Sequence, residues 1–193
     1  MEIISLGSLL VSGYLVFRKL VQVDYLRLGR LSPLVSFLEL VVWLLVVIYP
    51  TFYNPADWWW VWFAKAPTNL VQKSLGSLLV LVGMGLAVLA MTKLGMRKSF
   101  GREVQGLQIE GLYRYCRNPQ LVGGALAVGG IVILWPSAYA LGWAIAYGLI
   151  GHWMVLAEEE HLGRLFGDAY TQYSHQVPRY WFQMTPPIRE DSS

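Results

Sequence analysis

The sequence predicts an all-α integral membrane protein with five transmembrane helices, the last two of which form a hairpin. Hydrophobic residues make up 55% of the 193 residues and charged residues only 14%, whereas soluble domains carry about 25% charged residues. Five apolar runs approach or exceed the roughly 20 residues that a helix needs to cross a bilayer. The nine tryptophans and eleven tyrosines are typical of the aromatic belts at membrane interfaces.

Composition also excludes several classes of function. The net charge of +3 comes from basic residues in short loops between apolar runs, a pattern that orients membrane helices and does not indicate nucleic-acid binding. The single cysteine, Cys116, excludes an internal disulfide and a multi-cysteine metal site. No arrangement of His, Cys and Asp residues resembles a zinc site. We therefore expect neither a metal nor a nucleic-acid partner.

The first helix is predicted to start near the N-terminus. The apolar run 3–17 lacks the flanks of a cleaved signal peptide, so we expect a retained helix. Because 15 residues are too short to cross, the helix is expected to continue to about Val23, with Arg18 and Lys19 reaching outward. A linker is expected at residues 24–33.

The second helix is predicted over residues 34–52. Glu39 lies about one turn inside it, where a carboxylate either extends to the headgroups or serves a function. The following stretch, 54–69, contains the run DWWWVWF, which is too rich in tryptophan and too short for another span. We expect a segment that lies flat at the interface.

The third helix, predicted over 71–91, carries two glycines near its middle. Gly83 and Gly85 each cost a helix roughly 1 kcal/mol relative to alanine, so the bare backbone needs a reason. One reason is close helix packing, which small residues commonly provide in membranes. The other is room for a ligand against the helix. The residues alone leave both interpretations open.

The last two helices, predicted over 121–135 and 138–157, are joined by a tight turn at Trp135-Pro136-Ser137. We interpret the whole chain, 1–193, as one membrane domain with three parts. These parts are a three-helix wall (1–91), a unit made of a polar loop, the hairpin and a tail (92–181), and a flexible end (182–193).

The distribution of basic residues predicts an orientation. If the loops 18–30 and 92–117 and the C-terminal tail lie inside, thirteen of the fifteen Lys and Arg residues are on that side. Only Lys65 and Lys73 are then outside. The positive-inside rule thus predicts an external N-terminus and a cytosolic C-terminus.

The hairpin returns the chain to the side that it left, so two polar clusters, 114–119 and 158–179, are expected to meet on one face. Asn118-Pro119 is a helix-start signal, because Asn caps free N–H groups and Pro is favoured at the first helical position. Arg117 beside this helix N-terminus suits an anion. The alternative is a capped helix with a positive-inside arginine.

Three consecutive glutamates follow the fifth helix. Glu160 has Arg164 four residues on, which is a favourable ion-pair spacing. Glu158 and Glu159 lack such a partner, and adjacent side chains point about 100° apart on a helix. At least one of them is therefore expected to face the bundle, where it needs a cation or hydroxyl donors.

Histidines and tyrosines supply further candidates. His152 lies within the fifth helix and is either a packing residue or a neutral proton acceptor. His161 and His175 are expected at the surface. Gly167 is expected to end a helix, after which Tyr170 and Tyr173 share one face of a short helix. They either pack against the bundle or stack on a bound base.

These residues carry a resemblance. The run RNPQLVGG, followed across the hairpin by EExxLxxxFGxxYxxYxxxVPR, resembles the phospholipid methyltransferase and isoprenylcysteine carboxyl methyltransferase family of integral-membrane, S-adenosylmethionine-dependent enzymes. The second motif is present at Glu158, Glu159, Leu162, Phe166, Gly167, Tyr170, Tyr173, Val177, Pro178 and Arg179. The first motif is matched by Tyr113, Arg114, Arg117, Pro119 and Gly123.

The resemblance implies a methyltransferase with a cofactor pocket at the cytosolic face and a lipid or other lipophilic acceptor that enters from the bilayer. The acceptor class is a phospholipid amine, a carboxylate or similar. The expected cofactor-binding residues are Gly83, Gly85, Arg117, Asn118, Pro119, Glu158, Glu159, Tyr170, Tyr173 and Arg179. An amine acceptor must lose a proton, for which Glu159, His152 and Tyr113 are the candidates.

Two alternatives from other classes stay open. One is a membrane reductase of the sterol-reductase type, whose dinucleotide phosphates the paired glutamates would repel. The other is a non-catalytic carrier or scaffold. Isoprenylcysteine enzymes have His and Tyr where this chain has Asn118 and Gln120, a departure that disfavours their substrate.

Overall fold

A computed structural model describes residues 2–53, 66–94, 107 and 109–184, and all regular elements in these ranges are helical. The first three elements form one continuous helical stretch: α1 (Glu2–Leu15), a π-helical segment (Val16–Val21) and α2 (Gln22–Leu28). The later elements are α3 (Pro33–Tyr53), α4 (Leu70–Leu94), a 3-10 helix (Gly111–Arg114), α5 (Pro119–Leu134), α6 (Ala138–Phe166) and α7 (Asp168–Gln176).

The described helices confirm the all-α integral membrane fold class. Within the described ranges, four stretches are long and apolar enough to cross a membrane: Ile3–Leu28, Pro33–Pro50, Leu70–Thr92 and Ala138–Phe166. α5, at 16 residues, is shorter than those four, so a fifth span stays a prediction. Most of the predicted interfacial segment 54–69, the stretch 95–106 of the basic loop, and 185–193 of the expected flexible end lie outside the described residues.

The first helix is longer than the sequence predicted. An end at about Val23 and a linker from residue 24 are both wrong, because α2 continues to Leu28 and ends at Gly29, whose φ of 65° is left-handed. The Asp24 carboxylate closes this turn by accepting hydrogen bonds from the Ser32 N–H at 2.8 Å and the Ser32 hydroxyl at 2.5 Å.

A core of buried side chains joins α1, the π-helical segment, α3 and α6. Phe17 of the π-helical segment is fully buried. Two hydrogen bonds fix α6 against α3: the Trp143 indole donates to the Val46 carbonyl at 2.8 Å, and the Tyr139 hydroxyl donates to the Tyr49 carbonyl at 3.0 Å. α6 therefore has a defined position relative to the N-terminal helices.

Glycines bring α4 and α5 into backbone contact. Two glycines seven residues apart on α4, Gly76 and Gly83, face two with the same spacing on α5, Gly130 and Gly123. A Cβ added to Gly76 would lie 2.8 Å from the Gly130 carbonyl oxygen, and one added to Gly123 would lie 2.6 Å from the Ala87 nitrogen. Both distances are shorter than real Cβ contacts, so the close, antiparallel approach requires glycine.

The hairpin forms as predicted. The Ser137 hydroxyl caps α6 by accepting a hydrogen bond from the Ala140 N–H at 3.0 Å. The Tyr147 hydroxyl donates to the Leu121 carbonyl at 3.0 Å, which ties α6 to the first turn of α5. α6 extends past the predicted end at residue 157, so the three glutamates lie on the helix itself.

Candidate functional site

The two polar clusters meet where the start of α5 approaches the end of α6. The Glu159 carboxylate forms an ion pair with Arg117 at 2.8 Å. It also forms a bidentate ion pair with Arg179, accepting hydrogen bonds from Nε at 3.0 Å and from Nη2 at 2.5 Å. The side chains of Arg117 and Glu159 are only 12% and 14% exposed, so water screens their attraction little. We call these three residues the arginine–glutamate cluster.

The tail after α7 is held against this cluster by its backbone. The Arg117 N–H donates to the Pro178 carbonyl at 2.9 Å, and the Gln183 N–H donates to the Tyr115 carbonyl at 3.1 Å. The resulting segment, residues 177–184, is called the tail segment below. It places the Arg179 side chain beside Glu159.

The start of α5 is only partly as predicted. Pro119 is its first residue, which confirms the helix-start signal. The Asn118 side chain, however, makes no capping hydrogen bond; its amide donates to the Arg179 carbonyl at 3.2 Å instead. The capping role is therefore wrong, because the tail segment offers Asn118 a competing acceptor.

Tyr170 and Tyr173 share one side of α7, which begins after Gly167 as predicted. The Tyr170 hydroxyl accepts a hydrogen bond from Arg117 at 3.3 Å, and the Tyr173 hydroxyl donates to the Tyr113 carbonyl at 2.8 Å. Burial, aided by the Glu159 charge, raises the pKa of Tyr170 to about 12, so the phenol stays protonated at neutral pH. Both tyrosines thus pack against the site.

Glu158 lies next to the cluster without joining it. Among the described residues it forms neither an ion pair nor a hydrogen bond, although its side chain is half-buried. Its charge reaches the loop before α5, because after burial it is the next cause that raises the pKa of Tyr113. The hydroxyl of Tyr113 donates to the Gln120 side chain at 3.1 Å.

The remaining predicted site residues lie elsewhere. Gly83 is buried against Gly123 and Ala127 of α5, so it serves the close helix packing that was one of its two interpretations. Gly85 is exposed, with open space around it. The His152 imidazole shares a hydrogen bond with the Tyr180 hydroxyl at 2.7 Å. The cofactor role of the two glycines and the catalytic role of His152 stay predictions.

Two expectations about the end of α6 are wrong. The Glu160 carboxylate is hydrogen-bonded to Arg18 at 2.9 Å and to Gln22, rather than paired with Arg164. Arg18 consequently does not reach outward. His161 was expected at the surface but is only 2% exposed, because α6 continues and packs its end against α2. His175 is exposed, as expected.

The arrangement of charges suits a small zwitterion. The formal charges of the two arginines and two glutamates cancel. Among the described residues, however, the buried Nε of Arg117 has no hydrogen-bond partner and the Glu158 carboxylate has no ion-pair partner. An anionic group and a cationic or hydroxyl group of one ligand would satisfy the two. Within the described residues no group of three or more His, Cys, Asp or Glu side chains could hold a metal ion.

Comparison with known proteins gives one family and one relative. A family model described as phospholipid methyltransferase matches residues 71–169, or 99 of the 193 residues. A phosphatidylethanolamine N-methyltransferase from Laccaria bicolor is 27% identical over 130 residues, which cover 64% of this chain but only 14% of that protein. The chain thus spans a small part of that relative. No solved structure gives a significant match.

Proposed function

Because this chain belongs to the phospholipid methyltransferase family, we propose that it transfers a methyl group from S-adenosylmethionine to a lipid or other lipophilic acceptor at the cytosolic face of a membrane. The observation that carries the proposal is the arginine–glutamate cluster together with Glu158 beside it, which has no ion-pair partner in the described part of the chain. The family-matched stretch includes Arg117, Glu158 and Glu159 and ends before Tyr170 and Arg179.

Each charged group has a part in holding the cofactor. The Arg117 Nε, which lacks a partner among the described residues, would donate to the cofactor's carboxylate. Glu158 would accept hydrogen bonds from its ammonium or ribose hydroxyls. Glu159 is already held by two guanidinium groups, so its role in the proposal is to position Arg117 and Arg179. When bound, S-adenosylmethionine supplies an electrophilic methyl group on its sulfonium.

The protein's contribution to the reaction is mainly placement. Displacement at a methyl carbon needs the acceptor atom in line and little water nearby, and burial of the cluster serves both needs. An amine acceptor also needs a group that takes its proton. His152 and Tyr113 are the remaining candidates, because both carboxylate oxygens of Glu159 are already engaged by Arg117 and Arg179.

The acceptor and the orientation follow from separate observations. The related Laccaria bicolor protein is named as a methyltransferase of phosphatidylethanolamine nitrogen, so an amine phospholipid is the first acceptor to test. The basic loops support an external N-terminus and a cytosolic C-terminus. The cofactor would then enter from the cytosol and the acceptor from the bilayer.

The test is binding followed by transfer. Purified chain in detergent should bind S-adenosylmethionine in calorimetry, and Glu158→Gln should weaken that binding by about tenfold, which corresponds to about 1.4 kcal/mol. Glu160→Gln is the matched control, because its carboxylate contacts Arg18 and Gln22 instead. Membranes that contain the chain should then incorporate label from methyl-labelled cofactor into extracted lipid. Absence of cofactor binding by the wild type would refute the proposal.

A further inference from the structure

A second set of polar side chains is buried between α2, α3 and α6. It consists of Tyr25, Ser36, Glu39 and His161, here called the buried polar group. The four residues are between 2% and 8% exposed. Full burial of Glu39 rules out the interpretation that its carboxylate extends to the headgroups, and it leaves the functional alternative open.

Helix geometry and one ring contact bring the group together. Ser36 and Glu39 are three residues apart on α3 and so share a face. The Tyr25 ring stacks on the His161 ring at 3.9 Å with an angle of 4° between the planes. Tyr25 also lies within electrostatic range of Glu39. The polar faces of three helices therefore converge.

Part of the hydrogen-bonding capacity of this group is unused among the described residues. Ser36 Oγ, Glu39 Oε2 and His161 Nε2 are buried and have no hydrogen-bond partner among the described residues. Buried polar atoms in native proteins are almost always paired, because an unpaired one loses its hydration without compensation. Arg164 is within electrostatic range of His161, yet it forms no ion pair with Glu39. A group that is not among the described residues is thus expected to satisfy the three atoms.

The group adjoins the arginine–glutamate cluster through Glu158. This residue precedes His161 by three positions on α6, so the two share a face. Its charge acts on Glu39 on one side and on Tyr113 and Tyr170 on the other. A ligand at the buried polar group would therefore lie next to the proposed cofactor site.

We propose that the buried polar group binds the protonated amine in the head of the methyl acceptor, with Glu39 as a specificity-determining residue. The inference rests on the proposed function and assigns it a further residue. An ammonium group carries enough N–H donors for the three unpaired atoms, with His161 accepting in its Nδ1-protonated tautomer. It would also give Glu39 a counter-charge, which no cation among the described residues supplies, and the Tyr25 ring face attracts cations.

Uncharged and anionic heads fit this group less well. An uncharged head would offer no counter-charge to Glu39, and an anionic head would repel it whenever its carboxyl group is ionised. Three of the four residues, Tyr25, Ser36 and Glu39, precede the stretch 71–169 that matches the family model. Acceptor choice would thus reside in helices that lie outside the matched region.

The test compares two lipids with the same acyl chains and phosphate, of which only one carries a protonated amine in its head. The full chain is placed in phosphatidylcholine nanodiscs that contain equal amounts of dioleoyl phosphatidylethanolamine and its N-acetylated form, and bound lipid is identified by native mass spectrometry. The wild type should retain the amine form at least tenfold over the acetylated form. Glu39→Gln should abolish this preference, whereas Glu160→Gln should keep it. Equal retention of both lipids by the wild type would overturn the proposal.

Two further measurements separate binding from folding and from methyl transfer. Glu39→Gln should leave the apparent Tm unlowered, because the amide keeps the shape of the side chain and Glu39 Oε2 has no hydrogen bond to lose among the described residues, whereas a structural role for Glu39 predicts a lower Tm. In the transfer assay Glu39→Gln should raise KM for the amine lipid about tenfold and leave the affinity for the cofactor unchanged. An unchanged KM would overturn the assignment of Glu39 without contradicting the proposed function. A wild type that prefers the amine lipid but binds no S-adenosylmethionine would instead refute the proposed function.

Discussion

Arg117 and Glu159 form an ion pair of 2.8 Å at the open end of a helical hairpin, between the start of α5 and the returning end of α6. Each belongs to a different polar cluster of the sequence, and the pair exists because the turn at Trp135-Pro136-Ser137 reverses the chain. Arg179 closes on the same carboxylate from the tail segment. One glutamate therefore holds three parts of the chain together.

Removing the charge of Glu159 should disrupt this site. In Glu159→Gln the two arginines lose their common counter-ion and repel each other, so we expect methyl transfer to fall about 100-fold, as displacement of reacting groups by about 1 Å commonly does. We also expect a loss of about 2 kcal/mol of stability, below the value for fully buried pairs because Arg179 is 34% exposed. Transfer assays would measure the loss of activity and thermal melts the loss of stability.

Glu160→Gln is the control for this prediction and should leave methyl transfer unchanged. An equal loss of transfer in the Glu159 and Glu160 variants would contradict the prediction.

The two glycines of α4 should respond oppositely to alanine. Gly83→Ala would place a methyl group 2.5 Å from the Ala127 nitrogen, so we expect a loss of about 1–3 kcal/mol from forced separation of α4 and α5. Gly85→Ala meets no atom within 4 Å and should gain up to about 1 kcal/mol of helix stability. Melting temperatures would show the difference.

The same glycine pair tests the cofactor role implied by the family resemblance. A Gly85→Ala variant that melts at or above the wild-type temperature but binds S-adenosylmethionine weakly would favour a ligand contact at Gly85. Equal destabilisation of both variants would contradict the packing that the structure shows.

Stability should fall at alkaline pH in a way that depends on Tyr170. Its pKa is raised from 10.0 to about 12 by burial and by Glu159, so the folded state holds a proton that the unfolded state releases above pH 10. The stabilising contribution is therefore complete below pH 10 and is lost as pH rises through about 12. In Tyr170→Phe the free energy of unfolding should fall less steeply with pH over this range than in the wild type. The two slopes should differ by one proton, which corresponds to about 1.4 kcal/mol per pH unit. Identical pH profiles of both proteins would contradict the assignment.

The hydrogen bond between His152 and Tyr180 separates two roles for the histidine. If His152 anchors the tail segment, His152→Phe and Tyr180→Phe should each cost about 1 kcal/mol, and the double variant should cost no more than either alone. Denaturation of the four proteins measures this. A loss of transfer in His152→Phe that far exceeds the loss in Tyr180→Phe, with a changed pH profile, would support proton transfer instead.

Local patterns predicted the helices and the hairpin well. Apolar runs located α3 and α4 to within a few residues, and Pro136 with Ser137 fixed the reversal that joins Arg117 to Glu159. The sequence could not distinguish Gly83 from Gly85, because the choice depends on which side of α4 faces α5. The seven-residue spacing of glycines on both helices was the signal that could have found the contact.

Hydrogen bonds between side chains that are far apart in the sequence could not be predicted, for a physical reason. Glu160 has a suitable partner four residues away in Arg164, yet its hydrogen bonds go to Arg18 and Gln22 across the bundle. Helix spacing describes only neighbours on one helix, and tertiary packing decided between the two. His161 was predicted at the surface because the length of α6 was underestimated. The packing of its end against α2 could not be derived from helix spacing either.

The π-helical segment Val16–Val21 has a consequence for how the gene can change. A π-helical turn holds one residue more than an α-helical turn, so it behaves as a tolerated single-codon insertion. Deleting one codon there would restore regular α-helical winding and leave residues 2–15 facing the same way relative to α2, whereas a deletion in a regular α-helical turn would rotate them by about 100°. Leu9 would then stay in the core, which makes this short stretch more permissive to the loss of one residue than the helical turns on either side of it.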